Sequence, residues 1–60
     1  MRLYVEPMDA VVVEVDEEGR VRLENEELAA PTLQERRAIL YSAHAEVEAL
    51  TELIEILERP

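Results

Sequence analysis

The chain contains no cysteine, no lysine, no tryptophan and no phenylalanine, and it has one glycine in 60 residues. Each absence excludes something. Without cysteine there is no disulfide to staple a small fold, no thiolate nucleophile and no thiolate metal site. With a single glycine there is no glycine-rich loop to cradle a phosphate or let backbone approach a cofactor closely. Two tyrosines are the only aromatics, too few for a platform on which unpaired bases could stack. Apolar runs reach only about four residues, so the sequence shows neither a signal peptide nor a transmembrane span.

Positive charge is also scarce. Fifteen carboxylates stand against six arginines, for a net charge of −9. Such a chain repels itself, anionic membranes and nucleic acid, and would attract a basic protein partner. The lack of cysteine fits a cytoplasmic setting.

What the sequence has in quantity is one long amphipathic segment, Thr32 to Glu58. Thr32 and Glu35 have the spacing of a capping box, in which each side chain accepts from the other residue's backbone N–H. Pro31 disfavours helix at Ala30. From Thr32 to Arg59 there is no glycine or proline, and strong helix formers dominate. Leu33, Leu40, Val47 and Ile54 recur every seven residues. Ala43, Leu50 and Leu57 follow three residues after members of that series. Read as heptad positions a and d, this is a continuous seam interrupted only by Arg36. Ile39 and Leu53 lie beside it and broaden it toward one face of a bundle.

The seam is long for the remaining chain. A 27-residue helix spans roughly 40 Å, and six strand residues roughly 20 Å. A small sheet should therefore cover about half the seam and leave Val47 to Leu57 wet. Sixty residues is already a marginal size for a self-sufficient core. A second copy of the chain is the simplest cover, as a two-fold dimer or a tetramer of paired dimers. The expected interface residues are Leu33, Leu40, Ala43 and Val47, continuing through Leu50, Leu53, Ile54 and Leu57.

The N-terminal part reads as strands. Val11, Val13 and Val15 alternate with Val12, Glu14 and Asp16, and Arg20 to Glu24 carries a second alternation with Val21 and Leu23 on one side. Glu17 to Gly19 suits a three-residue loop with Gly19 left-handed. That loop pairs Asp16 with Arg20, Val15 with Val21, Glu14 with Arg22 and Val13 with Leu23, so that opposite charges meet on one face and apolar residues on the other. Arg2 to Glu6 reads as a further strand, with Leu3 and Val5 inward and a bend at Pro7 to Asp9. Residues 26–31 form a connector with room for one helical turn.

The expected architecture is α+β in a single domain: strands over 1–25, as a hairpin or three-stranded antiparallel meander, a connector over 26–31, and a long C-terminal helix over 32–58 through which the chain dimerises. The expected function is non-enzymatic, acting through protein–protein contacts, with no cofactor and no metal. His44, with Glu48 one turn on, supplies at most two ligands, and Ser42 and His44 cannot face each other on a helix. Arg36 is expected to pack its stem while its guanidinium reaches Glu26 or Glu27, or else to form an interface ion pair. Tyr41 falls off the seam, against the sheet or a partner.

The stretch Val13 to Leu28, VEVDEEGRVRLENEEL, resembles the swapped-hairpin segment of AbrB-like DNA-binding proteins, which include many VapB-type antitoxins. The matching positions are Asp16, Gly19, Arg20, Val21, Leu23 and Leu28. The resemblance implies an alternative function: a dimeric regulator whose Arg20 and Arg22 contact operator DNA and whose C-terminal helix binds a toxin. A third reading, resting on net charge alone, is an acidic protein that occupies a basic nucleic-acid groove.

Overall fold

A computed structural model describes residues 1–60. Three strands, β1 (Leu3–Val5), β2 (Ala10–Val15) and β3 (Val21–Leu23), form an antiparallel meander in the order β1-β2-β3, and one helix, α1 (Leu33–Glu58), follows. The α+β architecture is the one expected from the sequence. A short 3-10 turn, Glu6–Met8, links β1 to β2 and ends at Asp9, which is left-handed at φ 48°. The Asp9 N–H closes the turn on the Glu6 carbonyl at 3.0 Å.

The core is small. Leu3, Val5 and Val12 are the three buried residues. Leu3 stands opposite Val12, and Val5 opposite Ala10. Met8, Val21, Leu23, Ala38, Ile39 and Ala43 pack around them.

The β2–β3 hairpin keeps two of the expected cross-strand pairs, Glu14 with Arg22 and Val15 with Val21. The Asp16 N–H donates to the Arg20 carbonyl at 3.0 Å, and Gly19 adopts φ 84°. The Val13–Leu23 pair does not form. Val12 stands opposite Leu23, and Val13 is the extra residue of a bulge between Val12 and Glu14. An inserted residue reverses the alternation on one side of it. Val12 thereby joins the face of Val15, Val21 and Leu23 and is fully buried, whereas Val15, on the same face but at the hairpin end, is exposed. With valine at three consecutive positions, Val11 to Val13, side-chain pattern does not distinguish the bulged strand from a regular one.

The connector holds no helical turn. Asn25 is left-handed at φ 68°, and the Glu26 N–H donates to the Leu23 carbonyl at 3.0 Å. The chain then returns alongside β3, where Val21 and Ala29 exchange hydrogen bonds of 2.8 and 2.9 Å. Asn tolerates the left-handed turn and Pro31 bars helix at Ala30, so the segment finds its backbone partner on the strand edge.

The helix begins as its cap requires. The Thr32 hydroxyl accepts from the Glu35 N–H at 3.1 Å, and the Glu35 carboxylate accepts from the Thr32 N–H at 2.8 Å. It crosses one face of the sheet with its first half and continues beyond it. Every residue from His44 to Pro60 is exposed.

At Gly19 an added Cβ would meet nothing within 4 Å, so a side chain there costs only backbone strain. Gly19→Ala is expected to lower stability by about 1 kcal/mol, and Gly19→Asn by less, as read from denaturant melts. Equal stability of all three proteins would contradict the left-handed turn.

Candidate interface on the helix

The side chains of α1 fall into two sectors. Glu35, Ala38, Ile39, Ser42 and Ala43 are half-buried, and of these Ala38, Ile39 and Ala43 pack against the core. At about 100° per residue they form one side of the helix, centred near Ser42. The heptad seam starts on a different side. Leu33 is 59% exposed and Leu40 50%, more than a quarter-turn from the centre of the sheet-facing sector. The sheet was expected to shelter this first half of the seam, but among its members it half-buries only Ala43. Small residues at 38 and 43 allow the helix to sit close to the strands, and the leucines are thereby turned outward.

The seam drifts about 20° per heptad around a straight helix, toward the side on which the sheet lies. By the time it arrives the sheet has ended. Val47 is 60% exposed and Leu57 74%, and Leu50, Leu53 and Ile54 are each about half exposed. Seven of the eight interface residues expected from sequence are thus solvent-facing along the length of α1, with Ala43 at the boundary. Ile39, read from sequence as lying beside the seam and broadening it, belongs to the sheet-facing sector. Ile56, not singled out by the heptad pattern, is 49% exposed.

Charges divide the molecule further. In the sheet every arginine is paired: Arg2 with Glu24 at 2.8 Å, Arg20 with Asp16 at 2.6 Å and Glu18 at 3.6 Å, and Arg22 with Glu14 at 3.0 Å. Arg20 and Arg22, the residues that the hairpin resemblance would place on DNA, have their guanidinium Nε atoms committed to carboxylates. In the helix no arginine is paired. Arg36 does not reach Glu26 or Glu27, and Arg36 and Arg37 lie exposed in the opening turns, where the helix dipole disfavours positive charge. Downstream, Glu46, Glu48, Glu52, Glu55 and Glu58 all face solvent.

Asp16 anchors the hairpin turn. Desolvation pushes its pKa up, but the Arg20 N–H, the Arg20 guanidinium and the Glu18 N–H all favour the charged form, and the net displacement is below the ordinary value. The Asp16 carboxylate accepts from those two N–H groups at 2.9 and 3.0 Å. Tyr4 is displaced the other way. Its hydroxyl donates to the Asp9 carboxylate at 2.9 Å, and this bond, followed by partial desolvation and the charges of Asp9 and Glu6, raises its pKa.

On the far side of the helix, Tyr41 and Ala45 line an open groove with Tyr4 and Pro7. His44 and Glu48 are exposed, and no cluster of three or more His, Cys, Asp or Glu side chains is positioned to hold a metal. No helix is long and apolar enough to cross a membrane.

Comparison with protein families, curated proteins and solved structures finds no match.

Because the Asp16 pKa is depressed on folding, its contribution to stability is complete above the ordinary value of 3.8 and is lost as pH falls through the lower folded-state value. Asp16→Asn should destabilise the protein at neutral pH and flatten this part of the acid limb in thermal melts. An unchanged pH profile in the variant would show that Asp16 does not anchor the turn.

Proposed function

We propose that this chain is a non-enzymatic, self-associating module that acts through protein–protein contacts, with the heptad seam of α1 as the contact surface. The observation that carries this reading is surplus surface. The chain exposes 5063 Å², whereas a compact chain of 6.9 kDa exposes roughly 4,000 Å². The excess, about 1,000 Å², is comparable with the roughly 800 Å² that one partner contributes to a standard interface. The shape agrees: the radius of gyration is 13.5 Å, against about 10 Å for a compact chain of this length.

The helix needs that cover. Its unsupported second half is about as long as an isolated helix that is marginal in water. Covering each half-exposed leucine or isoleucine there stabilises by about 1 kcal/mol. A second copy supplies a matching seam without a further gene product, and two-fold symmetry closes the assembly at a dimer, or at a tetramer of two such pairs. The cysteine-free, acidic composition suits the cytoplasm.

The carboxylate-bound state of Arg20 and Arg22 supports this reading over a DNA-contacting hairpin. Duplex DNA at low salt is expected to give no mobility shift. A shift abolished by Arg20→Ala with Arg22→Ala would instead favour the regulator.

Light scattering at micromolar concentration should report a multiple of 6.9 kDa, and Leu50→Asp should yield a monomer or an unfolded chain. A folded wild-type monomer under those conditions would remove the proposal.

A further inference from the structure

Resting on the self-association reading, we infer that two copies pair their helices antiparallel over their full length, with the two-fold axis passing at the level of Ala45, so that the unpaired arginines of one copy meet the C-terminal carboxylates of the other.

The seam itself selects this register. With the axis at Ala45, each a residue faces a d residue of the partner. Leu33 lies opposite the partner's Leu57, and Leu40 opposite the partner's Leu50. Ala43 lies opposite the partner's Val47, the smallest pair at the centre. All the exposed leucines are then covered, including Leu33 and Leu40, which the molecule's own sheet leaves open. An antiparallel pair displaced by two heptads would overlap only the C-terminal halves and leave those two residues wet.

The sheet does not obstruct this arrangement. It occupies the sector of Ala38, Ile39 and Ser42, at the flank of the seam. Leu53 lies on that same flank, within one turn in this register of the partner's Ile39. An apolar residue at 53 is then accounted for, since it meets the partner where the partner's helix meets its sheet.

Charge selects the direction. Arg36 and Arg37 are the two helical cations, and neither forms an ion pair within the chain, although the sheet arginines all do. In the antiparallel register Arg37 occupies the flanking position paired with the partner's Glu58. Arg36 stands opposite the partner's Ile54, its stem on the seam and its guanidinium toward Glu55 and Glu58 of the partner. Each positive opening turn also meets the negative end of the opposite helix dipole. Parallel pairing would place Arg36 against itself in the seam and stack the acidic C-terminal turns on one another, which is repulsive.

A distance measurement tests the register. The chain has no cysteine, so Arg59→Cys and Glu48→Cys each give one spin-label site per copy on an exposed position. At about 1.5 Å rise per residue, the two labels at position 59 should lie about 40 Å apart, well beyond the separation at position 48. A parallel pair would give under about 20 Å at position 59, and the displaced antiparallel pair about 25 Å; either result in a dimer overturns the inference while leaving self-association standing. A monomer would instead remove the reading beneath it. Arg37→Glu and Glu58→Arg are each expected to weaken the dimer by roughly ten-fold, because symmetry uses the pair twice. Combining the two should restore it to within about three-fold. Residues 37 and 58 are about 30 Å apart along a parallel pair, so a dimer that the second swap does not rescue also counts against the register.

Discussion

A length mismatch governs this molecule. The helix is 26 residues long, about 39 Å, and it is fixed at one end to a sheet whose longest strand has six residues, about 20 Å. The sheet can therefore shelter only the first turns. The core stops at three residues, and the apolar side chains that would enlarge it are spread along a rod that leaves the sheet behind. Nothing in the sequence bends that rod back: from Leu33 to Glu58 there is no glycine or proline, and kinks in helices almost always need one of these or an inserted group.

The elements written by local chemistry were legible in the sequence. The capping box at Thr32 and Glu35, the left-handed loop at Gly19 and the pairing of Glu14 with Arg22 each depend on residues close in sequence and on one specific hydrogen bond or charge pair. What was not legible depends on tertiary choice. The bulge at Val13 hides in three consecutive valines, where either face can be apolar. The return of Ala29 to β3 rests on two backbone hydrogen bonds with no side-chain signature. The rotation of α1 on the sheet, which places Ala38, Ile39 and Ser42 inward and Leu33 and Leu40 outward, follows from close packing against small residues. The heptad pattern was visible, but the face it would turn toward the sheet was not.

The arginines divide along the same line. Arg20 and Arg22 are paired with carboxylates of their own hairpin, and Arg2 with Glu24 at the end of β3, so each arginine of the strand-bearing half has a partner within the chain. Those in the helix are left without partners in a chain carrying a net charge of −9, on the same element as the exposed seam. Exposed apolar side chains and unpaired arginines are thus concentrated on one rod, while the arginines of the strand-bearing half have already found carboxylates. This segregation is what favours the helix over the hairpin as the contact surface in the function proposed above.

The fold of the connector has a further consequence. By returning Ala29 to the open margin of β3, the chain occupies the backbone groups through which a foreign strand could add. The opposite margin, β1, is three residues long and runs straight into Pro7, which cannot donate to a ladder. Strand-by-strand growth into fibres therefore finds no footing at either side of the sheet. Under the proposed self-association, these shielded margins confine contact to the helix, a surface of finite extent on which association can terminate at a closed complex.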